Sequence, residues 1–123
     1  MEKLCKIRDI QRAVVCFESR FEKTYGICLN EGMALCSLCK SVTLSSGEIG
    51  ELLGLTSSNT SKVIRSVENK GLVQRVIGSE DRRQMYFSLT DKGRDLILSI
   101  KCEEIETPEL LNDLLKRLDD FIQ

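Results

Sequence analysis

The sequence predicts a mainly α chain with one small β-hairpin, and three observations carry that prediction. Apolar residues recur at three- and four-residue steps through most of the 123 positions. One stretch alone, Leu72 to Leu89, holds two runs of strand character around a short polar loop. Capping residues and glycines fall where helices between these segments must start and stop.

The elements follow in order. Leu4, Ile7, Ile10, Val14, Phe17 and Phe21 give a first helix one apolar stripe, and "YGICLN", Tyr25 to Asn30, breaks it. "LNEGMALCSLCKSV" reads as a second helix. Its Leu29, Met33, Leu35, Cys36, Leu38 and Cys39 are set too closely for one face, so burial on several faces is expected. Ser45 and Glu48 form the S-x-x-E capping box of a short third helix, from about Ser46 to Leu53. Gly54 ends it, because glycine accepts the left-handed conformation there. Thr56 caps the next helix, "SSNTSKVIRSVENKG". Thr60, Val63, Ile64 and Val67 form its inner face; Ser57, Ser58, Asn59, Ser61, Lys62 and Arg65 lie largely outside it.

"LVQRVI" is β-branched and reads as a strand. "QMYFSL" alternates Met85, Phe87 and Leu89 against Gln84, Tyr86 and Ser88, a half-buried strand. Gly78 to Arg83 connect the two. Thr90 then caps a helix from Asp91 with Leu96, Ile97, Ile100 and Ile105 apolar. "TPEL", Thr107 to Leu110, restarts helix, and the last one carries Leu111, Leu114, Leu115, Leu118, Phe121 and Ile122.

Helix, tight turn, helix and hairpin in this order make a winged helix-turn-helix. Gly54 lets two helices cross in few residues, and Gly50 lets the second approach the first. The formal net charge is −1, but it is unevenly spread. Residues 62–94 hold eight Lys and Arg against four Asp and Glu, whereas residues 95–123 hold three against eight. A local positive excess is the footprint of a polyanion-binding surface. Short hydroxyl and amide side chains at Ser57, Ser58, Asn59 and Ser61 suit base edges in a major groove, with Lys62 and Arg65 placed for phosphates. A wing tip beside that helix meets the neighbouring minor groove, where a planar, weakly hydrated guanidinium inserts well. Arg82 and Arg83 supply it, and Asp81 can orient an arginine through a charge-assisted hydrogen bond.

These residues also carry a resemblance. "LSSGEIGELLGLTSSNTSKVIRSVENKGLVQRVIGSEDRRQMYFSLTDKGRDL" resembles the DNA-binding core of the MarR family, the multiple antibiotic resistance regulators. The matching signs are Asp-x-Arg at Asp81 and Arg83, then Leu89 and Thr90 before a helix, and "ENKGLVQR" leading into the first wing strand. The resemblance implies that Arg83 enters the minor groove, that Asp81 supports it and that Arg82 contacts phosphate. It implies a homodimer with interleaved first and last helices on a palindromic operator, with helix 57–70 in the major groove and wing 78–83 in the minor groove. Repression is the family default, and many members are released by a small-molecule inducer or by cysteine oxidation. The shortness of the chain leads us to expect a reduced inducer pocket. The whole chain, 1–123, is then one domain, with a core at 29–96 and dimerisation helices at 1–24 and 97–123. The apolar stripes of the two end helices support a dimer on their own account, having few partners in so small a domain.

Other classes are supported less. Histidine is absent, which removes the commonest general base and metal ligand, and no glycine-rich phosphate loop or paired-acid cleft appears, so no enzyme, cofactor or metal is expected. Cys36 and Cys39 invite a redox or zinc reading. No second C-x-x-C stands at a recognisable spacing, and an apolar helix favours packed core thiols over a redox pair. Apolar runs are too short to span a membrane and the N-terminus is unlike a signal peptide, so the expected location is the cytoplasm with reduced cysteines. The competing reading is a winged-helix module that binds protein partners, with its basic helix merely solvated.

Overall fold

The computed structural model describes residues 2–77, 85–102 and 107–122. They group into two compact units, Leu29–Glu103 and a second made of Met1–Cys28 with Glu104–Gln123.

The larger unit holds helices α2 (Leu29–Lys40), α3 (Ser46–Leu53), α4 (Ser57–Asn69) and α5 (Asp91–Cys102), with strands β1 (Leu44–Ser45), β2 (Val73–Ile77) and β3 (Met85–Leu89). The sheet is antiparallel in the order β1-β3-β2. Its register pairs Val73 with Leu89 and Arg75 with Phe87 on one side, and Leu44 with Phe87 on the other. The third strand departs from the expected two-stranded hairpin. Two residues carry no alternation to detect, and Ser45, which pairs with Tyr86, is also the cap of α3.

The core of this unit draws Leu35 and Leu38 from α2, Ile49 from α3, Ile64 and Val67 from α4, Phe87 and Leu89 from β3 and Ile97 from α5. Burying each such side chain contributes roughly 1.5–3 kcal/mol. Met33 departs from expectation: it is 38% exposed, because Glu31, Gly32, Ala34, Leu35 and Leu38 take the inner positions of α2.

Local chemistry sets the helix ends. The Ser45 hydroxyl accepts from the Glu48 amide at 3.2 Å, while the Glu48 carboxylate accepts from the Ser45 amide at 3.0 Å. Both arms of the expected capping box are therefore made. Gly54, at φ 68°, ends α3 in the left-handed region. Thr56 caps α4 through the Asn59 amide at 3.2 Å. Thr90 performs two tasks before α5: its hydroxyl donates to the Gly71 carbonyl at 2.6 Å and accepts from the Gly93 amide at 3.1 Å. It ties the start of α5 to the loop that follows α4.

The smaller unit contains α1 (Glu2–Tyr25) and α6 (Glu109–Ile122), which pack on each other. Phe21 is buried, with ring centroids 6.0 Å from Phe17 and 5.1 Å from Tyr25. The Asn112 amide donates to the Pro108 carbonyl at 3.0 Å, so the proline opens α6 as expected. Much of the apolar stripe on both helices stays open: Leu4, Ile7, Leu115, Leu118 and Phe121 are all exposed. Among the described residues, no helix is long and apolar enough to cross a membrane.

Candidate nucleic-acid interface

Helix α4 is positioned by contacts that its sequence encodes at different ranges. The nearest is with α3. A Cβ on Gly50 would stand 2.6 Å from the Thr60 hydroxyl, so the two helices meet at a distance that only a missing side chain permits. Thr60 is buried, and its hydroxyl donates to the Thr56 carbonyl at 2.8 Å, which leaves it satisfied. Ile64 and Val67 continue this inner face into the core. Val63 is half-buried beside them.

A second constraint comes from α2. The Glu31 carboxylate is buried, accepts from the Ser66 hydroxyl at 2.8 Å and pairs with the Lys70 ammonium at 2.9 Å. A buried charge of this kind adds little net stability over an apolar pair, but breaking it leaves a carboxylate stranded. Its effect here is to fix the rotation and register of α4 against α2. The pairing is not legible in the sequence, because 35 and 39 residues separate the partners. The available sign was a glutamate three and four positions before Ala34 and Leu35, on the same face of the helix.

With its inner face fixed, α4 turns Ser57, Ser58, Asn59, Ser61, Lys62 and Arg65 outward, and all six are exposed. The four short polar side chains crowd its first turns, and the two cations follow. Glu68, the acid nearest Arg65 along α4, is engaged elsewhere. It accepts from Arg75 Nε at 2.8 Å and from Arg75 Nη2 at 3.2 Å. This hydrogen bond first, and the carboxylate charge second, raise the Arg75 pKa above its ordinary value. The Arg75 guanidinium also lies 5.9 Å from the Phe87 ring centroid.

Two concavities flank this face. One runs between α3 and α4, with Ser46, Gly47, Glu51, Ser57 and Ser61 among its walls. The other lies between α4 and the sheet, where Ser61, Arg65 and Glu68 face Arg75, Met85 and Phe87. The site residues Asp81, Arg82 and Arg83 lie outside the described residues, as does the rest of the wing connection at 78–84 and Ile105.

Cys36 and Cys39 correct one expectation. Both are half-buried rather than sealed in the core, because their positions on α2 fall at the edge of its inner face. Lys101 of α5 donates to the Cys39 sulfur at 3.6 Å. Cys5, Cys16, Cys28, Cys36 and Cys39 are all free thiols. Among the described residues, no group of three or more His, Cys, Asp or Glu side chains could hold a metal ion.

Comparison with known proteins agrees with this arrangement. Residues 27–85 match the model of the MarR family. An uncharacterized HTH-type transcriptional regulator of Bacillus subtilis, YwaE, is 31% identical over 90 residues, covering 73% of this chain and 53% of that protein. The chain thus spans about half the length of this curated relative. Among solved structures, a mutant of MarR from E. coli, complexed with operator DNA, superposes with a TM-score of 0.72 at 17% identity, covering 95% of each chain. The S. aureus MepR–DNA complex gives 0.66 at 22% identity, covering 95% of this chain and 98% of that one. At such identities these two likenesses speak for the fold.

Proposed function

The chain belongs to the MarR family, and from that premise we propose that it is a DNA-binding transcriptional regulator, acting as a homodimer on a palindromic operator. The observation that carries the proposal is the outer face of α4. Six exposed residues, Ser57, Ser58, Asn59, Ser61, Lys62 and Arg65, stand on a helix whose opposite face is fixed by Gly50, Thr60, Ile64 and the Glu31 network. A helix held this firmly keeps its side chains in register with the edges of base pairs.

In this account the N-terminal turns of α4 enter the major groove. Ser57, Ser58, Asn59 and Ser61 reach bases, the asparagine amide being suited to adenine. Lys62 and Arg65 contact phosphates. The wing at 78–83 turns to the adjacent minor groove, where Arg83 inserts, Asp81 orients it and Arg82 meets the backbone. The exposed apolar residues of α1 and α6 form the seam between two copies, which supplies the two-fold axis that a palindrome requires. The proposed sign of regulation is repression, by occlusion of the bound DNA. The chain is a regulator in this reading and not an enzyme, and it works in the compartment that holds the DNA.

Selection of bound sequences from random duplex DNA tests the proposal. Recovery of an inverted repeat with half-sites about one helical turn apart is the expected result. Recovery of no enriched sequence would refute it.

A further inference from the structure

We propose that Arg75 is a pre-positioned phosphate contact, set to grip the sugar-phosphate strand that passes through the groove between α4 and the hairpin. The proposal rests on the DNA-binding reading above and adds a residue to it. The geometry of a duplex supplies the first part of the reasoning. A helix in the major groove and a wing in the neighbouring minor groove must straddle one phosphate strand. The groove that would receive this strand has Ser61, Arg65 and Glu68 on one wall and Arg75 with Met85 on the other, the Glu68 carboxylate being paired with Arg75.

The second part concerns how Arg75 is held. Glu68 accepts from two of its N–H groups, through Nε and Nη2, and the Phe87 ring centroid lies 5.9 Å from its guanidinium carbon. A guanidinium carries five donors in a fixed fork, so three remain after Glu68 is satisfied. No other hydrogen bond from Arg75 is made among the described residues. The side chain is 60% exposed, whereas its Glu68 partner is 22% exposed. The arrangement therefore presents donors outward while removing most of the rotamer freedom that an arginine would otherwise lose on binding. Arg75 also interrupts a strand whose other residues are mostly β-branched, on the same sheet face as Val73.

Neutralisation of Glu68 is a purely structural alternative, and it makes a different prediction. The test titrates a fluorescein-labelled duplex of random sequence with the parent chain, Arg75→Gln, and the double variant Glu68→Gln/Arg75→Gln, over about 50 to 200 mM KCl. The glutamine amide retains a hydrogen bond to residue 68, and urea midpoints verify that each variant is folded. A phosphate contact lowers the salt slope of log K by about one in Arg75→Gln. The slope then stays low in the double variant. A slope equal to the parent's in Arg75→Gln overturns the proposal. Return of the double variant to the parent's slope also overturns it, because Arg75 would then serve only to screen Glu68. A parent chain with no salt-dependent affinity for duplex DNA would instead bring down the DNA-binding reading itself.

Discussion

Helices α4 and α6 have similar sequence patterns and opposite surroundings. Each is an amphipathic helix, of 13 and 14 residues respectively. The apolar face of α4 is spent within its own unit, where α2, α3 and β2 all pack against it. Its Ile64 and Val67 are 5% and 1% exposed. Among the described residues of its unit α6 packs on α1, and Leu115, Leu118 and Phe121 are 48%, 50% and 87% exposed. An apolar stripe states that a face will be buried; it does not state by what. The first helix is completed by its own chain and is free to present its other face to a ligand. The second is completed, in the proposed account, by a second copy.

The contrast can be broken most severely at Leu118. Leu118→Glu places an unpaired carboxylate in the proposed seam, at a cost of about 3–5 kcal/mol. The dimer dissociation constant should rise by roughly two to four decades, and sedimentation velocity should find a monomer. A persistent dimer would move the seam elsewhere. Next in size is a matched pair of truncations, measured in that monomeric background by urea unfolding. Ile64→Ala should cost about 2–5 kcal/mol, since it empties a packed site. Leu115→Ala should cost within about 0.5 kcal/mol, as an exposed position does. Equal losses would erase the distinction between the two helices.

A smaller effect is expected where α4 is tied to α2. Lys70→Met removes the cation beside buried Glu31, for an expected loss of about 1–3 kcal/mol. The Lys70 side chain is 39% exposed, so solvent screening places the result toward the lower end. Addition of Glu31→Gln should recover part of it, and a double-mutant cycle with no coupling would deny the tie. Smallest is Ser45→Ala, which removes one arm of the α3 capping box. It should cost about 1 kcal/mol and speed hydrogen exchange at the Glu48 amide.

The features that could be read from the sequence were those specified within a few residues. Ser45, Glu48, Gly54, Thr56 and Thr90 act on neighbours in the chain, so their roles as caps follow from spacing. Gly50 was legible for a similar reason: a small residue on the inner side of α3 foretold the approach of α4. The features that could not be read depend on partners far away in the chain. Glu31 meets Ser66 and Lys70 across more than 30 residues, and β1 exists only because Phe87 and Tyr86 lie alongside it. At the candidate site, the exposed residues of α4 were recognisable from helical periodicity. In the sequence Arg75 reads only as part of a strand, because its engagement of Glu68 needs the turn between α4 and β2 to bring the two together. The sequence suggests deeper burial for Cys36 and Cys39 than they have, since apolar neighbours do not fix which side of α2 faces the core.

The central claim is that two copies of this chain hold one duplex, each through α4 and its hairpin. Sedimentation equilibrium of the full chain with a duplex recovered by selection, carrying one inverted repeat, tests this most directly. The account predicts a complex of two chains per duplex, lost when Leu118→Glu replaces the parent. A complex of one chain per duplex, or one that survives that substitution unchanged, would contradict it.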